Sequence, residues 1–272
     1  MKAIFHQFAP PRPAPLAKSG PPAVRKGRKA VVPVANPAIT PAPKAAVRRK
    51  PAPRLAAGSF PVIAMAASVG GLKALSVILG GLPADFPAAI VIVMHLAPEH
   101  KSVLAEILNC RTHLHVRQAR TGDHLVPAGV FIAPPNHHLF VVKGDRLKLS
   151  SSGSEKVHHA RPSAEPLFAS VAKVYKKDAI AVVLTGGDGD GSLGVQLIKQ
   201  QGGRVIAQDR PTSQDFSMPE SSINTGDVDF ILPLTAIAPK LIELAGAGGE
   251  TINPRRTPWG RARRRRLMET LC

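Results

Sequence analysis

The sequence predicts an α/β fold: a three-layer, doubly wound, mainly parallel sheet with a small antiparallel β insert. Three observations predict it. Short runs rich in Val, Ile and Ala recur without polar alternation, as in strands buried on both faces. Stretches of about ten to twelve residues at helical spacing separate them, as βαβ units require. Several of the apolar runs stop abruptly at small, flexible residues, which is how a buried parallel strand ends.

The elements follow in order from residue 60. Residues 62–66 predict a strand, and 72–82 a helix with Leu72, Leu75, Val77, Ile78 and Leu82 near helical spacing. Residues 88–94 predict a second strand and 100–108 a second helix. The section 113–150 is β-like, with runs at 113–116, 129–133, 139–142 and 147–149 and turns at Pro134-Pro135-Asn136 and Lys143-Gly144-Asp145. It predicts a hairpin or small antiparallel patch at one edge. Helix returns at 163–175, strand at 179–184, helix at 192–201 and strand at 204–207. A short helix near 219–224, a strand at 230–232 and a last helix at 236–245 complete the pattern.

Charge divides the chain differently. Residues 1–58 carry 12 Lys/Arg, no Asp or Glu, and 12 of the 27 prolines. Proline at that density blocks helix propagation, and few large apolar side chains offset the entropy of ordering, so a disordered basic tail is expected. Residues 249–272 form a second basic tail, with Arg263-Arg264-Arg265-Arg266 at its centre. Residues 59–250 hold 17 basic and 17 acidic side chains. The formal +18 therefore describes two tails around a neutral domain at 59–248, and nucleic-acid binding is not the expected role. The tails suit anionic lipid headgroups better. No apolar run has the length of a membrane span or of a signal-peptide core, and the two cysteines, Cys110 and Cys272, do not make a disulfide framework. A cytoplasmic protein, membrane-associated through its tails or its partner, is expected.

Three strand ends carry chemistry. Ser68 follows the first strand in Ala66-Ala67-Ser68-Val69-Gly70-Gly71. Such a serine is either a helix N-cap or a nucleophile at a sharp strand-to-helix turn, with helix amides facing a developing oxyanion. His95 directly follows Ile90-Val91-Ile92-Val93-Met94, whereas His100, His137, His138, His158 and His159 lie in loop-like sequence. Gly186-Gly187-Asp188-Gly189-Asp190-Gly191 follows a third strand. It lacks the further ligands of a calcium loop and the lysine of a nucleotide loop. A turn that presents Asp190 to orient a histidine remains. The chain order Ser, His, Asp differs from those of α/β-hydrolases, chymotrypsin and subtilisin.

Together these motifs resemble the catalytic domain of CheB-type chemotaxis protein-glutamate methylesterases over roughly residues 60–246. Ala66–Gly71 is similar to that family's Gly-Ala-Ser-Thr-Gly-Gly, the sequence around His95 to its Gln-His-Met-Pro region, and Leu184–Gly191 to its Leu-Thr-Gly-Met-Gly-x-Asp-Gly. Ala133–His138, Arg161-Pro162-Ser163, Ala207-Gln208-Asp209 and Ser217-Met218-Pro219 resemble further signatures. The resemblance implies Ser68, His95 and Asp190 as catalytic residues. It implies Val69, Gly70 and Gly187 around the oxyanion, and Arg161, Ser163 and Met218 on the substrate face. It implies a serine hydrolase of glutamate γ-methyl esters on methylated chemoreceptor helices, able also to deamidate glutamine, with no cofactor and no metal.

Four departures stand out. Ala66 replaces a glycine, Val69 a threonine and Gly187 a methionine, and Asp188 adds a carboxylate where the family has glycine. Residues 1–58 are too short and acid-free to be the phosphoryl-accepting receiver domain that precedes the common member. A catalytically weak scaffold anchored by basic tails is the alternative expectation.

Overall fold

The computed structural model describes residues 60–95, 102–151 and 153–246. The two basic tails and residues 96–101, which include the first two residues of the expected second helix, lie outside the described residues. In chain order the elements are β1 (Val62–Ala67), α1 (Gly71–Gly80), β2 (Ala89–Met94), α2 (Leu104–Cys110), β3 (His115–Gln118) and β4 (Gly129–Ile132). Then come β5 (Leu139–Val142), β6 (Arg146–Leu149), α3 (Ala164–Tyr175), a 3₁₀ turn at Lys176–Asp178, β7 (Ala179–Val183) and α4 (Ser192–Gln200). The last are β8 (Arg204–Gln208), α5 (Ser217–Ile223), β9 (Phe230–Leu232) and α6 (Leu234–Gly246).

Seven strands form one sheet in the order β3-β4-β2-β1-β7-β8-β9, with every pairing parallel. Strand β1 is central, and all six of its residues are buried. Its alternate side chains feed two cores. Val62, Ala64 and Ala66 pack with Leu167, Phe168 and Val171 of α3 and with Val195 and Ile198 of α4. Ile63, Met65 and Ala67 pack with Leu75, Ile78 and Leu79 of α1 and with Ile237 and Leu241 of α6. Burial on both faces explains why the strands read as continuous apolar runs rather than alternating ones.

The insert is smaller than expected. Only β5 and β6 form the antiparallel pair, while β3 and β4 extend the main sheet in parallel. Their four-residue runs contain nothing that distinguishes a hairpin partner from a parallel one. Helix α2 starts at Leu104, later than the expected 100, in the first turn after Ser102, whose Oγ accepts from Leu104 N–H at 3.2 Å. No helix among the described residues is long and apolar enough to cross a membrane.

The chain leaves β1 toward β2 and later crosses to β7 on the other side. The order in which strands are added therefore reverses between β1 and β7, although the two pair in parallel. In a doubly wound sheet the crevice beyond such a reversal is where ligands bind.

Candidate active site

Ser68 is the first residue beyond β1 and stands between the tips of β2 and β7. Its N–H donates to Thr185 O at 2.9 Å, and the next rung joins His95 N–H to Ala67 O at 3.1 Å. Since Ala67 pairs with Met94, the following positions on the two strands are Ser68 and His95. Neighbouring strands run about 5 Å apart. The ladder therefore sets Ser68 and His95 at the same level on adjoining strand ends.

The turn after Ser68 is tight. Gly71 N–H donates to Ser68 O at 2.9 Å, and Gly70 has φ 79° and ψ −4°. These are the torsions of the third residue of a type II turn, where glycine is favoured. Gly71 serves spacing instead: a Cβ there would lie 2.8 Å from that of Ala67. Thr185 secures the turn by donating from Oγ1 to Val69 O at 2.8 Å while accepting from Asp215 N–H at 3.0 Å. Ser68 makes no side-chain capping bond to α1, so the cap role is not the one its hydroxyl fills. Among the described residues the amides of Val69 and Gly70 have no partner, and they stand at the start of α1, where an anion is favoured.

His95 extends beyond β2 with its side chain 16% exposed. Its Nε2 lies 2.9 Å from Asp190 Oδ2, which assigns the proton to Nε2 and leaves Nδ1 as the basic nitrogen. Asp190 is fully buried, yet its carboxylate is well supplied with donors. Ser163 Oγ–H donates to Oδ1 at 2.6 Å and Ala164 N–H to Oδ2 at 2.6 Å, with a longer bond from Glu165 N–H at 3.4 Å. It thus sits on the N-terminus of α3, where orphan amides and the helix dipole favour negative charge. Burial opposes ionisation of Asp190. The bonds from His95, Ser163 and Ala164 outweigh it and hold the carboxyl below its ordinary range. Burial likewise opposes protonation of His95, but the bond to Asp190 and the charges of Asp190 and Asp188 raise it above the ordinary value of 6.5.

The remaining expected site residues fall into two groups. Val69 is exposed and Gly70 lines the approach to Ser68, in a groove of about 410 Å³ that also takes in Leu72, Val77 and Met94. Gly187 follows Gly186 in the β7–α4 turn, and a Cβ on it would meet Asp215 Oδ2 at 2.9 Å. The three residues placed on the substrate face point elsewhere. Ser163 is fully buried beneath Asp190, and its hydroxyl is spent on that carboxylate and on the α3 cap. Met218 is also fully buried; its sulfur packs under Gly186, where an added Cβ would strike both it and Ser68. Arg161 turns its guanidinium onto Asn136 Oδ1 and Ser154 O, fastening two loops.

Glu165 was not anticipated from sequence. Its carboxylate accepts from the amides of Gly191 and Leu193 at 3.1 and 3.0 Å, and from that of Gly194. A residue in the first turn of α3 thereby caps α4 and fixes the Asp190 turn. Burial, opposed by the Leu193 and Gly194 bonds, raises its pKa. An acidic residue in a helix's first turn is a visible signal, but its reach to a second helix is not. Among the described residues no cluster of three or more His, Cys, Asp or Glu could hold a metal ion.

Comparison with known proteins places this geometry. Residues 63–241 match the family model for CheB methylesterase. A protein-glutamate methylesterase/protein-glutamine glutaminase of the group 3 operon from Rhizobium meliloti is 38% identical over 174 residues, covering 64% of this chain and 49% of that protein. A protein of the same activity from Thermotoga maritima is 38% identical over 164 residues, covering 60% and 48%. The chain thus spans about half the length of the curated relatives it matches. The crystal structure of the Thermotoga maritima CheB methylesterase catalytic domain superposes with a TM-score of 0.65 at 37% identity, covering 68% of this chain and 99% of that domain. The fold, the strand-tip constellation and these matches agree: the chain belongs to the CheB methylesterase family.

Proposed function

We propose that this protein hydrolyses glutamate γ-methyl esters on the helices of methylated receptors, with Ser68, His95 and Asp190 as its catalytic residues. The observation that carries the reading is the 2.9 Å pair between His95 and a fully buried Asp190, beside a serine on the adjoining strand tip. Ser68 Oγ attacks the ester carbonyl while His95 Nδ1 takes its proton. The amides of Val69 and Gly70 are positioned to receive the oxyanion. Collapse returns the proton to methoxide, so methanol leaves and an acyl-serine remains. Water then attacks that acyl group, with His95 again as base, and releases a glutamate carboxylate and the free serine. A glutamine amide follows the same course with ammonia as the leaving group, which supports deamidation as a side activity. Asp190 stabilises the imidazolium formed at each stage.

The donors on Asp190 and the lowered carboxyl support an anion at neutral pH. The basic segments 1–58 and 249–272, flanking a catalytic domain at 59–248, suit an anionic membrane surface close to a receptor substrate. Removing residues 1–55 then slows turnover on receptor-bearing membranes and leaves that on a soluble receptor fragment unchanged; equal losses in both assays contradict the tether. Methanol release from methylated receptor is the test of the main reading. Ser68→Ala is expected to lose at least about a thousandfold. A small loss would favour a scaffold that keeps the fold without the chemistry.

A further inference from the structure

His95 is flanked by two carboxylates, one at each ring nitrogen. Asp190 Oδ2 lies 2.9 Å from Nε2, and Asp188 Oδ2 lies 3.5 Å from Nδ1. The second contact is an ion pair rather than a well-formed hydrogen bond, and it falls on the nitrogen left for Ser68. The Asp188 side chain is 39% exposed, so it faces the site from the solvent side while Asp190 supports it from the interior. Its other oxygen is also used: Asp190 N–H donates to Asp188 Oδ1 at 3.0 Å. One carboxylate therefore fixes the backbone of the orienting aspartate and sets a charge against the basic nitrogen. Asp188 and Asp190 both reach the ring from the β7–α4 turn, and among the described residues they are its ion-pair partners.

We propose that Asp188 is a positioning residue for the reaction: a second carboxylate beside Nδ1 that fixes the Asp190 backbone and stabilises the charged form of His95 during proton transfer. The inference rests on the esterase reading above. Its consequences run in opposite directions. A stabilised imidazolium eases proton transfer from Ser68 to Nδ1, because the product of that transfer is the charged ring. The same stabilisation keeps the ring protonated, and so unable to accept the serine proton, over a wider range at low pH. Glycine at this position would supply neither the charge nor the bond to Asp190 N–H.

Two variants separate the roles. Asp188→Asn keeps an oxygen to accept from Asp190 N–H and removes the charge; Asp188→Gly removes both. In the 272-residue chain, the acid limb of the Asp188→Asn kcat/KM profile is expected to move to lower pH. At a fixed pH on that limb the variant should be at least about threefold faster than the parent. On the alkaline plateau its kcat should be lower. Asp188→Glu should hold the limb near its original place. The His95 ring titration, followed by NMR in a Ser68→Ala background, should move in the same direction in Asp188→Asn. That titration needs no turnover, so it judges the inference even if the esterase reading fails. An unmoved ring titration in Asp188→Asn, or an acid limb that shifts equally in Asp188→Glu, would overturn the proposal.

Discussion

Ser163→Ala tests the buried support of the site. The hydroxyl donates to Asp190 Oδ1 at 2.6 Å, accepts from Glu165 N–H at 3.3 Å and is completely buried. Alanine removes a buried hydrogen bond to a charged acceptor, worth about 1.5–3 kcal/mol. It also removes a helix cap. That loss falls near the low end, about 0.5 kcal/mol, because Asp190 Oδ1 also reaches Glu165 N–H, at 3.4 Å. The expected destabilisation is about 2–3.5 kcal/mol, or roughly 4–14 °C in Tm for a domain of this size. The pH dependence identifies the mechanism. Asp190 is depressed in the folded state, so its contribution is present above the ordinary carboxyl range and is lost as pH falls through the folded-state value. The gap between parent and variant should therefore be widest near neutral pH and close on acidification. Urea denaturation at a series of pH values measures it, and kcat/KM should fall about tenfold at neutral pH as the imidazole loses a well-held partner. A loss below about 0.5 kcal/mol, or a gap independent of pH, would refute the reasoning.

Gly186→Ala should abolish methanol release and destabilise the fold by about 1–3 kcal/mol, because the new methyl meets Met218 and Ser68 from either side; activity and urea midpoints check both. Glu165→Gln should lower kcat and stability together by withdrawing the charge from three amides at the start of α4, a loss of about 1–3 kcal/mol seen in denaturation curves. His95 is raised in the folded state, so its contribution is fully present below 6.5 and disappears as pH rises through the folded value. Unfolding free energy of the parent should fall across that window, and His95→Gln should remove the slope.

Much of this site was legible because a parallel sheet puts its chemistry where apolar runs stop. Ser68 and His95 each stand one residue beyond such a run, Asp190 lies in the turn after a third, and the order of the strands sets those three ends side by side. What the sequence does not carry is the direction of a side chain. Ser163 and Met218 lie in motifs next to the site and were expected to face the substrate. Ser163 instead turns inward to a carboxylate, and Met218 fills the space that Gly186 leaves. Arg161 is a similar case: an exposed-looking cation whose guanidinium ties down loops. The parallel placement of β3 and β4 was missed because a short apolar run such as Gly129–Ile132 fixes strand character without naming its neighbour. Glu165 escaped notice because its partners belong to a helix 26 or more residues away.

The account rests on Ser68 being a nucleophile activated by His95, and a fluorophosphonate probe followed by intact mass and peptide mapping tests this directly. One equivalent should attach at Ser68, none should attach to Ser68→Ala, and labelling of His95→Ala should be slower by about a hundredfold or more. Attachment at a different serine, or labelling as fast without the imidazole, would contradict it.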